Sequence, residues 1–299
     1  MGMHRRGFLQ GCLAAGLAAV GLPASAIEPI SRHGRPRFRL SLAAYSFRQY
    51  LDLKKPTMTL EDLVDLAAGW ELDAIEPTAY YFADTSPGFL TRLRGRCTRL
   101  GLDISGGAVG NNFCHSDPEK LRNEIATVKL WIERYALLGA KTIRIFAGSA
   151  PRGEDLEQVR ARCVAAIQEA CDHAARYGIY LALENHGGIT ATSEQMLALI
   201  RAVRHDWFGV NLDTGNFHTA DPYADLAAIA PYAVNVQLKT EIQRQGKPKE
   251  EADLNLLLNI LRQAGYRGYI ALEYEAAEDP KTAVPRYLAE LSRLIRSPG

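Results

Sequence analysis

Eight short aliphatic runs alternate with amphipathic segments along most of this 299-residue chain. Each run has the length of a buried strand, and each amphipathic segment has the apolar spacing of a helix that covers one. No Pro- or Ser-rich linker, low-complexity tract or repeat interrupts the alternation, which indicates a single domain. Eight strand–helix units with short connections predict an α/β fold, the (β/α)8 TIM barrel, because the alternative, a doubly wound open sheet, has no reason to stop at eight. The predicted strands cover residues 39–45, 72–76, 102–107, 141–146, 179–184, 207–213, 233–239 and 268–273.

Capping residues mark the ends of several predicted helices. Asp117-Pro118 begins one whose apolar residues recur at helical spacing, and Gly139 ends it. Thr192 and Gln195 form the pattern of a capping box at the start of another helix.

The two faces of each predicted strand differ in polarity, which assigns one face to the barrel lumen. Alternate side chains of a barrel strand point to the helices and to the lumen. One set is almost entirely aliphatic, as in Leu181 and Leu183, and we expect it to pack against the helices. The other set is small or polar, and we expect it to line the lumen: Ser41, Ala43, Tyr45, Ala74, Glu76, Ser105, Gly107, Arg144, Ala182, Glu184, Asn211, Asp213, Asn235, Gln237, Lys239, Ala271 and Glu273.

Four polar residues of the lumen set stand at the C-terminal ends of strands five to eight: Glu184, Asp213, Gln237 and Glu273. This end of a barrel carries the active site. Three converging carboxylates repel one another and lose hydration, so one divalent metal ion, with these four residues as ligands, is the favoured explanation. The alternative is that single carboxylates pair with Arg144 or Lys239. Oxygen ligands suit Mn²⁺ or Mg²⁺ better than Zn²⁺, and we expect Mn²⁺, with Mg²⁺ or Co²⁺ as alternatives.

Four stretches at βα-unit spacing, LALENHGG, GVNLDTGNF, VQLKT and IALEYE, resemble the xylose isomerase-like TIM barrels. That family includes sugar phosphate isomerases, ketose 3-epimerases and inosose dehydratases. The resemblance implies one divalent metal held by a Glu, an Asp, a His and a Glu, which correspond to Glu184, Asp213, position 237 and Glu273. The chain departs from the family at Gln237, whose carbonyl oxygen is a neutral and weaker ligand than His for most metals but still suits a hard ion.

The resemblance also implies the chemistry, which is proton abstraction next to the carbonyl of a sugar through an enediolate. Glu184 and Glu273 would remove and return the proton, as in the ketose 3-epimerases, and Lys239 would stabilise an oxyanion. If Lys239 instead protonates a leaving hydroxyl, the same site is a dehydratase or a lyase of keto sugars or keto glycosides. A non-catalytic sugar-binding barrel is the alternative of another class.

Several further residues are candidates for contacts with a sugar. His186 follows Glu184 and is predicted to act as an acid or base or to bind hydroxyls, while a supporting structural role is its alternative. Glu76 and Arg144 have a structural alternative too, which is a buried ion pair with each other. The predicted substrate-binding residues are Tyr45, Glu76, His115, Arg144 and His218.

The first 26 residues have the features of a twin-arginine signal peptide. Arg5 and Arg6 precede an apolar run, and Ala24-Ser25-Ala26 forms an A-x-A cleavage site. The run is shorter than the roughly 20 residues of a membrane anchor. We therefore expect a signal peptide at 1–26, a barrel at 27–299, transient contact with the twin-arginine translocase, and a periplasmic or extracellular protein without a stable membrane anchor.

Charge and histidine content argue against a nucleic-acid partner. Apurinic endonucleases share the barrel, but they carry a His-rich multi-zinc cluster, and this chain has seven His in all. Its formal net charge is +1, without a basic stripe that would bind a phosphate backbone.

Overall fold

The structure is a computed structural model that describes residues 27–296, so the predicted signal peptide at 1–26 lies outside the described residues. Each of the eight predicted strands is present, and the third is split in two. The strands are β1 (Arg37–Ala43), β2 (Ala74–Glu76), β3 (Asp103–Ile104), β4 (Gly107–Ala108), β5 (Thr142–Ile145), β6 (Tyr180–Glu184), β7 (Phe208–Asp213), β8 (Ala233–Leu238), β9 (Glu241–Gln243), β10 (Lys249–Glu251) and β11 (Arg267–Leu272).

Helices follow the barrel strands and cover them from outside. They are α1 (Arg48–Leu51), α2 (Leu60–Gly69), α3 (Pro87–Arg99), α4 (Pro118–Leu138), α5 (Leu156–Ala175), α6 (Ser193–Ala202), α7 (Pro222–Ile229), α8 (Leu254–Gln263) and α9 (Pro280–Arg296), with short 3-10 turns at Ala44–Phe47, Ala79–Tyr81 and Ala230–Tyr232. Within residues 27–296, no helix combines the length and apolarity that crossing a bilayer requires.

The predicted helix caps are present, with one change. The Asp117 carboxylate accepts hydrogen bonds from the first N–H groups of α4, and Gly139 ends that helix at a φ of 94°. Thr192 caps α6 by accepting from the N–H of Gln195. The Gln195 side chain accepts from the N–H of Ala191 instead of Thr192, so the capping box is not reciprocal at Thr192.

In the described part of the chain, nine parallel strands form one sheet that curls into a nearly closed barrel. Its order is β3-β2-β1-β11-β8-β7-β6-β5-β4, and because β3 and β4 are halves of one strand, the two ends of the sheet meet there. Ser105 and Gly106 separate the halves. A Cβ at Gly106 would lie 2.6 Å from Thr142 Oγ1, so glycine permits the close approach of β5 at this break. The molecule is therefore a single-domain TIM barrel, as predicted.

The predicted division of strand faces is confirmed by the contacts that each set of side chains makes. Leu181, Leu183, Val210 and Ile270 have no exposed surface and pack in the layer between sheet and helices. Burial of each such side chain contributes about 1.5–3 kcal/mol, which makes this layer the main source of stability. The polar set faces the lumen, where side chains from distant strands contact each other across the barrel.

A hairpin between β8 and α8 was not predicted. Its strands β9 and β10 pair antiparallel, with Lys249 opposite Gln243. Ile242 is buried and anchors the hairpin, while the N–H of Ala252 donates to the carbonyl of Thr240 at 2.9 Å and closes its base. The hairpin stands beside the C-terminal mouth of the barrel.

Candidate active site

Carboxylates and one ammonium group occupy the C-terminal mouth of the lumen. Glu184 and Asp213 are the last residues of β6 and β7, and Lys239 and Glu273 directly follow β8 and β11. All four are buried, with 3%, 0%, 8% and 5% of their surfaces exposed respectively. The strand ends therefore bring together three of the four predicted ligands, and we call Glu184, Asp213, Glu273, Lys239 and the neighbouring Arg144 the upper lumen layer.

Lys239 is the centre of the upper lumen layer. Its Nζ lies 2.7 Å from Glu273 Oε2, 2.7 Å from Glu275 Oε1 and 3.3 Å from Asp213 Oδ2. These carboxylates outweigh the effect of burial and raise the pKa of Lys239 well above its usual value. Lys239 is therefore a charged hydrogen-bond donor at the mouth.

Arg144 pairs with Glu184, on the other side of the layer. Arg144 Nε lies 2.8 Å from Glu184 Oε2 in an ion pair that is not aligned as a hydrogen bond, and its Nη1 donates to the carbonyl of Val109 at 2.8 Å. The guanidinium lies over the Phe146 ring, 3.9 Å from its centroid. The alternative, an ion pair between Arg144 and Glu76, is thus wrong, because Arg144 pairs with Glu184 at the end of β6. Asn216 Nδ2 also donates to Glu184 Oε1, at 2.8 Å.

Gln237, the fourth predicted ligand, lies in a separate network deeper in the barrel. Its Nε2 donates to Glu76 Oε1 at 2.6 Å, and its Oε1 accepts from Asn211 Nδ2 at 2.6 Å. Asn235 Nδ2 donates to Glu76 Oε2 at 2.7 Å and to Asn211 Oδ1 at 2.8 Å. We call Glu76, Asn211, Asn235 and Gln237 the lower lumen layer. One lone pair of the Gln237 oxygen is therefore occupied, and the second is left for a ligand.

Backbone bonds fix Asp213 between neighbouring strand ends. Asn185 donates to the Asp213 carbonyl at 2.9 Å and accepts from its N–H at 3.0 Å, which joins β6 to β7. Asp213 Oδ1 accepts from the N–H of Gly215 at 2.8 Å. Asp213 Oδ2 is buried and has no hydrogen-bond partner. The Lys239 ammonium lies 3.3 Å away, so this oxygen has an ion-pair partner without an aligned hydrogen bond and can still accept a further ligand.

The buried carboxylates differ in their proton affinity. Burial raises the pKa of Glu184 well above its usual value, although Arg144 opposes the shift. Burial also raises the pKa of Asp213 to about 7, against the effect of Lys239. Burial acts on Glu273 in the same direction, but Lys239 outweighs it and holds the pKa of Glu273 below its usual value. Glu184 therefore favours its acid form and Glu273 its base form.

The donor set fits a hard divalent cation in chemistry and charge. Among residues 27–296, no three His, Cys, Asp or Glu side chains form a ready ligand group, and Lys239 and Arg144 contact the carboxylates instead. With every group ionised, the carboxylates of Glu184, Asp213, Glu273 and Glu275 exceed these two cations by two charges. A divalent ion would balance that excess once Glu184 and Asp213 have lost their protons, and it would replace Lys239 at Asp213 Oδ2.

The open side of the mouth carries several predicted sugar-binding residues. A cavity of about 150 Å³ is lined by Lys239, Glu275, Asn216 and His218, with residues of the β9–β10 hairpin as its outer wall. Tyr45 is half-buried nearby, and its pKa is raised by burial and by Glu275. His218 is exposed at the rim.

His186 lies at the mouth, whereas His115 does not join it. The His186 ring is 4.3 Å from the Phe146 ring, and partial burial, with Arg144 and Lys239, lowers its pKa. A neutral imidazole can accept a proton from a hydroxyl. His115 faces helix α4, with its Nε2 3.5 Å from Glu124 Oε1.

Three residues of the site were missed by sequence reasoning. Glu275 has the same strand parity as Glu273, and this signal in EYE was available. Asn216 and Asn185 carried no signal, because their contacts depend on how the loops after β6 and β7 turn. Gly187 and Gly188 allow the first turn, with φ of 65° and 54°.

Comparison with known proteins identifies the family of this barrel. A family model described as "Xylose isomerase-like TIM barrel" matches residues 64–296. The chain belongs to the xylose isomerase-like TIM barrel family. A human protein named "Putative hydroxypyruvate isomerase" is 27% identical to this family member over 165 residues, which cover 49% of the chain. The chain spans 58% of the length of that curated relative.

Solved structures share the xylose isomerase-like barrel at low sequence identity. D-psicose 3-epimerase of Clostridium cellulolyticum H10, solved with D-tagatose, gives a TM-score of 0.70 at 14% identity, covering 86% of this chain and 99% of that one. The probable 3-DHS dehydratase of Bacillus anthracis gives a TM-score of 0.64 at 17% identity, covering 87% and 100%. These similarities establish the common fold.

Proposed function

We propose that this protein is a divalent-metal-dependent sugar isomerase or epimerase that moves a proton at the carbon next to a carbonyl, through an enediolate. The observation that carries the proposal is the placement of Glu184 and Glu273, two buried carboxylates at the mouth of the lumen on strands separated by β7 and β8. Such a pair supplies one acid and one base to opposite sides of a substrate. Family membership and the epimerase-like fold support this chemistry.

One bound metal ion belongs to the proposal, with Mn²⁺ expected and Mg²⁺ or Co²⁺ as alternatives. Glu184, Asp213 and Glu273 would hold it, whereas Gln237, the fourth ligand expected from the sequence, is held by Glu76 and Asn211 in the lower lumen layer. When bound, the ion acts as a Lewis acid that polarises the substrate carbonyl and makes the adjacent C–H more acidic. Mn²⁺ at about 100 times its dissociation constant should stabilise the protein by about 2.7 kcal/mol, measured as a rise in melting temperature after chelation and reloading. An unchanged melting temperature and a metal-free protein after dialysis against Mn²⁺ would remove the metal from the proposal.

The side chains of the mouth have separate roles in the proposed reaction. Glu273 accepts the proton from carbon, and Glu184, which lies on a strand two places away from β8 and three from β11, returns a proton from the other side. Lys239 donates a hydrogen bond to the oxygen on which negative charge develops. His186, Tyr45 and His218 contact the hydroxyls further out.

A dehydratase or lyase is the second candidate, and the position of Lys239 favours it. Its Nζ stands beside the cavity, so a leaving hydroxyl or glycosidic oxygen placed there would take a proton from Lys239 while Glu273 takes the proton from the neighbouring carbon. The dehydratase with the same fold is consistent with this outcome. Replacement of Lys239 by Met separates the candidates: elimination should disappear while exchange survives, or product formation and exchange should slow together in an isomerase.

The decisive experiment is solvent exchange in D₂O with a panel of ketoses and keto glycosides. Protein loaded with Mn²⁺ should wash deuterium into one carbon-bound position of its substrate, detected by NMR. The absence of exchange with every ketose and keto glycoside would favour a sugar-binding barrel without turnover.

We also propose export to the periplasm or outside the cell by the twin-arginine translocase, on the pattern of Arg5, Arg6 and Ala24-Ser25-Ala26. Replacement of both arginines by Lys should retain the protein in the cytoplasm, measured by cell fractionation. An unchanged distribution would contradict this route.

A further inference from the structure

Lys239 has one carboxylate partner that is not among the proposed metal ligands. Nζ is equally close, 2.7 Å, to Glu273 Oε2 and Glu275 Oε1. The side chain of Glu275 is 31% exposed, whereas those of Glu273 and Asp213 are 6% and 0% exposed. Glu275 therefore faces the cavity, and Lys239 stands between it and the buried carboxylates.

A metal ion would compete with Lys239 for two of these carboxylates. If Asp213 and Glu273 hold a divalent cation, the nearby ammonium is repelled by it and loses much of their attraction. The Lys239 side chain is only 10% exposed, so water cannot replace those partners fully. Glu275 is the carboxylate that remains for it.

The backbone around Glu275 is fixed by residues of the 3-10 turn and of helix α1, which follow β1. Arg48 Nη2 donates to the carbonyl of Glu275 at 3.2 Å, and Arg48 Nη1 donates to that of Tyr274 at 3.0 Å. Ser46 Oγ accepts from the N–H of Tyr274 at 2.9 Å. The chain at Glu275 is thus held in place, which suits it to orient a second side chain.

We propose that Glu275 is a positioning residue that holds Lys239 Nζ at the edge of the cavity while Asp213 and Glu273 bind the metal. In this position Lys239 directs an N–H at the substrate oxygen. Glu275 is neither a metal ligand nor the base. The inference rests on the proposed function and extends it to a residue two positions beyond Glu273.

Chemical labelling of Lys239 tests the positioning without any substrate. Protein loaded with Mn²⁺ is treated with an amine-reactive anhydride, and modification of Lys239 is followed by mass spectrometry. In Glu275→Gln the amine should react at least about tenfold faster than in the wild type, because its last charged partner is gone. The control is Glu278→Gln, which breaks an exposed pair with Arg286 further along the chain and should leave the Lys239 rate unchanged. Equal rates in Glu275→Gln and wild type would overturn the inference.

Kinetics and calorimetry test the same residue in turnover. Glu275→Gln should lower kcat by about 10- to 100-fold, with KM and the Mn²⁺ dissociation constant changed by less than about threefold. In a Lys239→Met background the same change should cost less than about twofold, because the two residues act as a unit. Equal losses in both backgrounds, or a Mn²⁺ affinity about tenfold weaker, would contradict a positioning role. If the wild type shows no exchange, the proposed function fails, and the labelling result still decides the role of Glu275.

Discussion

The two lumen layers differ in how well their polar groups satisfy one another. In the lower lumen layer, neutral amides and Glu76 satisfy one another through hydrogen bonds of 2.6–2.8 Å. In the upper lumen layer, carboxylates outnumber cations and Asp213 Oδ2 has no hydrogen-bond partner. A satisfied buried network stabilises and orients, whereas an unsatisfied charged one is costly until a ligand completes it. We infer that the lower layer supports the site and the upper layer performs the chemistry.

The largest expected effect is on catalysis by the upper layer. Glu184→Gln and Glu273→Gln should each reduce deuterium exchange by about 10²- to 10⁴-fold, because each removes a general acid or base. The exchange rate under Mn²⁺ saturation measures this. Glu169→Gln, an exposed partner of Lys129, is the matched control and should exchange at the wild-type rate. Near-normal exchange in either site variant would show that the carboxylate is not an acid or base.

A change in the lower layer should instead reduce stability. Asn235→Ala removes the donor to Glu76 Oε2 and Asn211 Oδ1 and leaves both buried, which should lower the free energy of unfolding by about 2–4 kcal/mol. Urea denaturation measures it. The exposed helical Asn123→Ala should change stability by no more than about 0.5 kcal/mol. If the two variants were equally stable, the lower layer would not have the supporting role.

The stability of the metal-free protein should depend on pH because carboxylates are buried in both lumen layers. The pKa of Asp213 is raised to about 7, and so is that of Glu76, in both cases by burial first. Because the unfolded chain releases these protons at lower pH, stability is full in acid and falls as pH rises through about 7. Asp213→Asn should therefore stabilise the metal-free protein at pH 8 by about 1–3 kcal/mol and flatten its melting-temperature profile between about pH 5 and 8. If the melting temperature of the variant fell with pH as steeply as that of the wild type, the pH dependence would come from a group other than Asp213.

The smallest expected effect is at the rim of the cavity. His218 is exposed there, so His218→Gln should raise KM by no more than about threefold and leave kcat unchanged. Steady-state kinetics on the substrate found by exchange measures it. A fall in kcat of about tenfold or more would show that His218 takes part in the reaction and not only in binding at the rim.

Strand parity was sufficient to predict most of the fold and the members of the upper layer. On β6 the rule predicted that Leu181 and Leu183 face the helices and that Ala182 and Glu184 face the lumen. The same rule held on the other strands. The rule works because side chains alternate whatever the partners are. It also separated polar lumen from apolar core without any knowledge of strand order.

Partner choice within the lumen could not be predicted by parity. Arg144 pairs with Glu184 and not with Glu76, because the tilt of the strands decides which side chains share a level. Gln237 is held by Glu76 and Asn211 below the carboxylates, although its place in the sequence resembles that of a ligand. The break at Gly106 and the β9–β10 hairpin were missed because both depend on how loops turn, to which strand periodicity is blind.

The β9–β10 hairpin can be altered separately from the barrel to change the outer wall of the cavity. Its two ends are joined by the bond from Ala252 to Thr240, and its strands pair only with each other, outside the barrel sheet. Residues 243–249 can therefore be exchanged for loops of other lengths, with loss of the bond from the Gln245 N–H to the Thr219 carbonyl, while Ile242 and the base of the hairpin stay in place. A library of such grafts would vary the outer wall of the cavity and leave the upper lumen layer untouched. In this barrel, selectivity and chemistry could thus be engineered on different segments of the chain.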